Sequence, residues 1–225
     1  MADSRRHDGP SLSLLAVTCI ALLFGGVAIG VALGGLMPLP YGPVAPIQHY
    51  VQTQSLAVRI IAVAVFGSSV LLAVYAATVS ARLRWLGDIG VGPTIALTGG
   101  ILAAGSLGLT GLLGWTLSRP EITGDTTLVR ALYLLTFLVG GVAHVVALGV
   151  LIAGIATSGL AFGLLPRAVA EAGVAIAALC GLTMLVLAWQ PLGPALPVAR
   201  VAALAWLLVA GARMPTRRND STVAV

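Results

Sequence analysis

Two ionisable side chains stand inside segments that are otherwise apolar, where their chemistry could matter. His144 lies in the run GGVAHVVALG, and Glu171 lies near the start of the run AVAEAGVAIAALCGL. An ionisable group in such a segment is costly to bury and tends to face other helices, where it can relay protons or contact a substrate. His144 and Glu171 are therefore the candidate functional residues of this sequence.

Each of these residues also has an interpretation that needs no function. A neutral imidazole at position 144 could bond to a hydroxyl or a carbonyl of a neighbouring helix. Glu171 follows Arg167 by four residues, so the two could pair on a helix surface, although in the less favourable order. The sequence leaves both interpretations open.

Motifs of the common enzyme classes do not occur in the sequence. There is no glycine-rich phosphate loop with a lysine, no H-E-x-x-H, no G-x-S-x-G and no pair of carboxylates in an apolar segment. Cys19 and Cys180 have no second cysteine or histidine at ligand spacing, so we expect no disulfide, no metal site and no cofactor. Enzymatic activity is therefore disfavoured.

The composition identifies the class of protein. Hydrophobic residues make up 59% of the chain and charged residues 8%, and the mean hydropathy is +1.06. Soluble chains carry about 25% charged residues, so this chain is predicted to be an integral membrane protein. Its net charge of +5 comes from arginines in short flanks between apolar segments, which indicates contact with anionic lipid and not with nucleic acid. All twelve basic residues are arginine, a bias typical of GC-rich bacterial genomes.

Six apolar stretches are predicted to cross the membrane as helices. Each is near the length of about 20 residues that a crossing needs, and backbone groups in hydrocarbon must bond to one another. The predicted fold class is therefore all-α, a polytopic bundle of six transmembrane helices between polar tails at 1–11 and 213–225. The predicted spans are 12–36, 56–79, 94–117, 128–157, 168–189 and 198–212.

The arginines also indicate an orientation, because cytoplasmic flanks are enriched in basic residues. Eight arginines fall on the side of the two termini: Arg5, Arg6, Arg82, Arg84, Arg167, Arg213, Arg217 and Arg218. Four fall on the opposite side: Arg59, Arg119, Arg130 and Arg200. The prediction is N-in/C-in, with both tails in the cytoplasm and the protein in the cell membrane. Arg59 and Arg200 each begin a predicted span, where a long stem can reach the headgroups.

Three glycines in the first span recur every four residues. Gly26, Gly30 and Gly34 share one helix face, and the missing side chains allow another backbone to approach closely. We expect this face to pack within the bundle; a dimer interface is the alternative.

Residues 37–55 separate the first two spans and contain Pro38, Pro40, Pro43 and Pro46, which prevent one continuous helix there. The end of this segment, QHYVQTQ, concentrates hydrogen-bonding side chains beside the second span. An amphipathic helix or a cap on the bundle is the expected structure; a small-molecule site is the alternative.

The layout resembles a family of six-helix bacterial membrane proteins, common in actinobacteria, whose domain has no assigned function. The resemblance is carried by the segments IQHYVQTQSLAVRI, ARLRWLG and RPEITGDTTLVRALY. It implies a six-span fold and no particular activity.

Three function classes follow. The first is a non-enzymatic scaffold, regulator or subunit of a membrane complex. The alternative is a small transporter or permease component that uses His144 and Glu171, and an intramembrane enzyme is the third class. The expected partners are the lipid bilayer and either another membrane protein or a second copy of the chain; nucleic acid is not expected.

Overall fold

The computed structural model describes residues 10–215 of the chain, and all the regular structure within that range is helical. The long helices are α1 (Leu12–Gly34), α3 (Ser55–Trp85), α4 (Gly92–Leu117), α6 (Thr126–Leu138), α7 (His144–Phe162), α8 (Arg167–Leu182) and α9 (Ala195–Arg213). The short helices are α2 (Val44–Thr53) and α5 (Pro120–Thr123). A π-helical segment, Val139–Ala143, joins α6 to α7, and two 3-10 segments, Thr183–Leu187 and Gln190–Leu192, separate α8 from α9.

Six helical segments within residues 10–215 are long and apolar enough to cross a membrane. The most apolar stretch of each span buries only 28% to 56% of its residues inside the protein. Large apolar side chains such as Leu14, Ile29 and Leu33 therefore point outward, which is stable in lipid and not in water. The predicted all-α class is confirmed, and the six apolar helices fit the predicted membrane class.

The two ends of the bundle differ in what they carry. At the first end, which we call the tail end, α1 begins and α9 finishes, and Gly211 packs against Leu12. The opposite end, which we call the α2 end, carries α2, between α1 and α3, and α5, between α4 and α6. Residues 1–9 and 216–225 lie outside the described range, and with them most of both predicted tails, including Arg5, Arg6, Arg217 and Arg218.

Some helices run further than the sequence predicts. The second span is predicted to stop at Val79, yet α3 continues to Trp85, because neither glycine nor proline interrupts residues 80–85. The chain reverses just beyond it at Gly87, whose φ of 104° is a conformation that favours glycine. The fifth span is predicted as one helix over 168–189, but α8 ends at Leu182 and tightens into a 3-10 segment.

Small residues set the distances between the central helices. α4 lies between α3 and α7: Gly100 of α4 faces Ala76 of α3, and Gly154 of α7 faces the backbone of Ala96 in α4. With no side chain at these glycines, the helix backbones approach closely and gain dispersion contacts. α7 forms the centre of the bundle, and Leu148, Leu151, Ile152 and Ile155 are fully buried there.

Candidate functional site

A cavity of about 410 Å³ lies inside the bundle, in the half toward the α2 end. Its walls come from the second half of α1, the start of α3, the end of α4, the fourth span around the π-helical segment, and the first turns of α9. Leu23, Val65, Leu107, Phe137 and Leu196 are typical of its mostly apolar lining. The volume falls in the range of small-molecule pockets, about 300–1,000 Å³.

The lining of the cavity reaches the protein surface, and we call its exposed part the mouth. Four lining residues are also exposed on the protein surface: Val27 in α1, Met37 and Leu39 in the loop after α1, and Pro197 in α9. Val27 lies about two turns before the end of α1, so part of the mouth faces the depth of the membrane and not the water.

The loop over residues 36–43 forms a roof over the cavity and is fixed to α6. The hydroxyl of Tyr133 donates to the carbonyl of Pro38 at 2.6 Å, and the guanidinium of Arg130 donates to the carbonyl of Gly42 at 2.5 Å. Both donors lie on the same face of α6, three residues apart, so this helix holds the roof at two points.

Arg200 is the one cationic side chain among the residues that line this cavity. It lies in the second turn of α9, and its Nη2 group donates to the carbonyl oxygen of Gly140 in the π-helical segment. Its Nε atom is buried and has no hydrogen-bond partner within residues 10–215. A π-helical turn inside an α-helix is rare and is frequently found at functional sites.

His144 lies one turn after Gly140 on the same span and is fully buried. Its Nδ1 atom is 2.9 Å from the carbonyl oxygen of Ala103 in α4. Because a carbonyl oxygen only accepts, Nδ1 carries the hydrogen, and Nε2 of the neutral ring is then an acceptor. Nε2 is buried without a donor in the described part of the chain. His144 itself is not part of the cavity lining.

Glu171 is not brought together with His144. Gly149 of α7 packs against Cys180 of α8. From that contact, His144 lies five residues toward the α2 end and Glu171 nine residues toward the tail end, together about 20 Å at 1.5 Å per residue. Glu171 is exposed and accepts a hydrogen bond of 2.8 Å from Arg167, so an ion pair occupies the carboxylate.

The glycine face of α1 packs inside the bundle. A Cβ atom at Gly26 would clash with Ala64 of α3, and one at Gly30 would clash with Ile61. A Cβ atom at Gly34 would lie 2.8 Å from the Cβ of Ala57. This face is covered by α3 in the single chain.

The QHYVQTQ segment forms part of α2 and caps the bundle. The side-chain amides of Gln48 and Gln52 both donate to the carbonyl of Thr123, at 3.0 and 2.8 Å. Tyr50 is buried and donates to the carbonyl of Gly35 at 3.2 Å; burial raises the pKa of its phenol above the ordinary value, so the hydroxyl stays a donor. These hydrogen bonds hold α2 against α5 and against the end of α1, as expected for a cap on the bundle.

The predicted absence of a metal site stays a prediction. No group of three or more His, Cys, Asp and Glu side chains assembles among residues 10–215. Cys19 and Cys180 are separate buried thiols, and each donates to a backbone carbonyl of another helix.

The position of the Arg200 side chain differs from the prediction. The sequence predicts that it reaches the headgroups, but in the structure it turns inward to Gly140. One signal was present: the predicted span 198–212 covers only about 22 Å, short of the roughly 30 Å of hydrocarbon. A span of full length must begin earlier, and α9 does begin at Ala195, which places Arg200 more than a turn inside the helix.

Comparison of the chain with protein-family models, curated proteins and solved structures finds no match. The resemblance noted in the sequence therefore stays a prediction, and the geometry of the cavity carries the functional argument.

Proposed function

We propose that the chain is a non-enzymatic membrane protein that binds a lipid-like molecule in the cavity between α1 and α9. The observation that carries this proposal is the combination of an apolar lining with a mouth at the depth of the membrane. An apolar chain can pass from the bilayer into such a cavity without crossing water, whereas a polar solute would have to enter through hydrocarbon.

The binding protein would act as a regulator, scaffold or subunit of a membrane complex, because bound lipid can change how a bundle presents its surface to a partner. The roof gives this idea a structural basis, since the loop over the cavity is also part of the α2 end. Purification of the chain in a mild detergent tests this part: a co-purifying membrane protein supports it, and a lone monomer contradicts it.

A small transporter or permease component is the second candidate. Its support no longer comes from His144 together with Glu171, which lie far apart. It comes from Arg200, which bonds to Gly140, and from His144, one turn after Gly140; each keeps a buried nitrogen without a partner within residues 10–215. A transporter needs polar groups of this kind at the midplane of the membrane.

We place the protein in a bacterial cell membrane with the tail end in the cytoplasm. The composition supports a bacterial source, and the arginine count supports the orientation. Within residues 10–215 four arginines fall on each side, so the excess on the tail side depends on Arg5, Arg6, Arg217 and Arg218. The mouth of the cavity then lies in the outer half of the bilayer.

Photolabelling tests the proposed cavity. The probe is a long-chain fatty alcohol with a diazirine in its chain, added to membranes that contain the full-length protein. We expect peptides from the cavity lining to be labelled, and the substitution Gly114→Leu to reduce that labelling about tenfold. Gly114 lines the cavity, and a Cβ atom there meets its nearest neighbour, Ala62, at an ordinary 3.4 Å, so the larger side chain extends into the cavity.

Gly105→Leu is the matched control for this substitution. Gly105 lies on the same helix, and a Cβ atom there meets nothing within 4 Å. Labelling of the cavity should stay at the wild-type level in this variant. Labels spread evenly over the lipid-facing surfaces, with no change in Gly114→Leu, would contradict the proposed function.

A further inference from the structure

We infer that the ligand of this cavity is an anionic amphiphile, whose head group pairs with Arg200 while its chain lies along the apolar wall. This inference rests on the proposed function and adds the chemical class of the ligand. It depends on a cation that has no counter-ion within residues 10–215 and on the apolar lining that α1 and α9 contribute to the cavity.

The guanidinium of Arg200 is only partly satisfied. An arginine has five N–H donors in a planar fork that matches carboxylate and phosphate oxygens. The Nη2 group of Arg200 donates to the carbonyl oxygen of Gly140, which is a neutral acceptor. The buried Nε atom has no partner in the described part of the chain. The site can therefore donate further hydrogen bonds from a charged group.

No acidic side chain of the described range compensates this charge. The ion pairs found there join Arg119 to Glu121 and Arg167 to Glu171. The remaining described acids are Asp88, in the turn after α3, and Asp125, whose carboxylate caps the start of α6. An unpaired cation taken out of water carries a penalty of several kcal/mol, which an anion brought by the ligand would offset.

The path of the chain follows from how α1 and α9 meet. At the tail end the helices are in contact, since Leu12 packs against Gly211. Toward the α2 end both helices line the cavity, and Val27 of α1 and Pro197 of α9 are exposed parts of that lining. Arg200 lies one turn deeper than Pro197 on α9. If the anionic head group of a ligand pairs with Arg200, the apolar chain of that ligand lies among the apolar side chains between Arg200 and the bilayer.

The chemistry requires an anion, and two sources can supply it: the carboxylate of a free fatty acid or the phosphate of a lipid head group. Both accept two parallel hydrogen bonds from arginine. A neutral alcohol of the same chain length fills the apolar lining equally well but offers Arg200 no charge.

Competition against the neutral diazirine probe tests this inference. The full-length protein is reconstituted in bilayers of phosphatidylcholine, and oleate, oleyl phosphate and oleyl alcohol compete for the cavity at a pH that ionises both acids. We expect the anions to compete at about tenfold lower concentration than the alcohol, because an anion forms an ion pair with two parallel hydrogen bonds to the guanidinium, whereas the hydroxyl of the alcohol is a neutral acceptor. In Arg200→Gln this difference should vanish while the probe still labels the cavity. Arg59→Gln, a change at an exposed arginine of α3, should keep the difference.

Each outcome decides between the two claims. The anion with the larger advantage identifies the source: oleate indicates a free fatty acid, and oleyl phosphate indicates a phosphate head group. Equal competition by all three ligands would contradict the inference that the ligand is anionic, and the proposed lipid binding would still hold. Failure of all three to displace the probe would overturn both. The comparison in the wild-type protein decides the question even if Arg200→Gln does not fold.

Discussion

Arg200 and His144 are two polar residues within the apolar spans, and they differ in whether they line the cavity. Arg200 lines the cavity and bonds to Gly140, sixty residues away in the sequence. His144 lies one turn after Gly140, yet it is enclosed by protein, and its ring joins α7 to the carbonyl of Ala103. The first residue can meet a ligand directly; the second can hold the helix that carries the ligand site.

His144→Ala should lower stability and leave binding unchanged. The smaller side chain leaves a void in the packed centre and removes the contact with Ala103, so we expect the free energy of unfolding to fall by about 2–4 kcal/mol. Thermal unfolding in detergent measures this loss, and photolabelling of the cavity measures the binding.

His144→Leu controls for volume and should recover most of the stability. A leucine fills the space of the imidazole without its polar atoms. If both variants stay folded and both lose cavity labelling or a transport activity, His144 acts on the ligand or on protons, and the permease would be the better description.

At the scale of single elements, the roof and the helix contacts are the features that shape the site. The long helices could be predicted, because continuous apolarity is a local property that appears in every window of the sequence. The π-helical segment at Val139–Ala143 and its contact with Arg200 could not, since they depend on residues that the fold brings together. The length of α3 past Val79 differs from the prediction because charged residues such as Arg82 and Arg84 end the apolar stretch without ending the helix.

Tyr133→Phe should loosen the roof. This change removes the hydrogen bond of 2.6 Å to the carbonyl of Pro38 and leaves that carbonyl without its donor. A loss of about 1 kcal/mol is expected, seen as faster hydrogen exchange at the amides of Leu39, Tyr41 and Gly42.

Tyr75→Phe is the control for the roof, since the hydroxyl of Tyr75 donates to Leu207 between α3 and α9, outside the roof. Its loss should leave exchange at residues 39–42 unchanged. Equal acceleration in both variants would show that the Tyr133 contact does not hold the roof.

Gly154→Ala should separate two central helices. A Cβ atom at this position would clash with the backbone nitrogen of Ala96 and lie 2.7 Å from the carbonyl of Gly92. Because backbone atoms cannot rotate away, we expect a loss of about 1–3 kcal/mol in the free energy of unfolding. Gly105→Ala, which meets nothing within 4 Å, should be neutral or slightly stabilising, since alanine favours helix. Similar thermal shifts in the two variants would contradict the close packing of α4 and α7.

At the scale of the whole molecule, six candidate spans predict that both ends of the chain lie on one side of the membrane. In the orientation that we propose from the arginine count, that side is the cytoplasm, and the mouth of the cavity lies in the opposite half of the bilayer. Reporter fusions at the two termini should both show a cytoplasmic location. Removal of the charges in Arg5, Arg6, Arg217 and Arg218 together should weaken this preference, because they supply the whole excess. Reporters on opposite faces would contradict a six-span bundle.

Native mass spectrometry of the full-length protein, released directly from its own membranes, would detect a lipid held in the cavity. We expect a population that carries one bound molecule with the mass of an acidic lipid or fatty acid. This population should be strongly reduced in Gly114→Leu and retained in Gly105→Leu. A wild-type protein that emerges without a bound molecule, or one whose bound molecule persists undiminished in Gly114→Leu, would show that the cavity is not a lipid site.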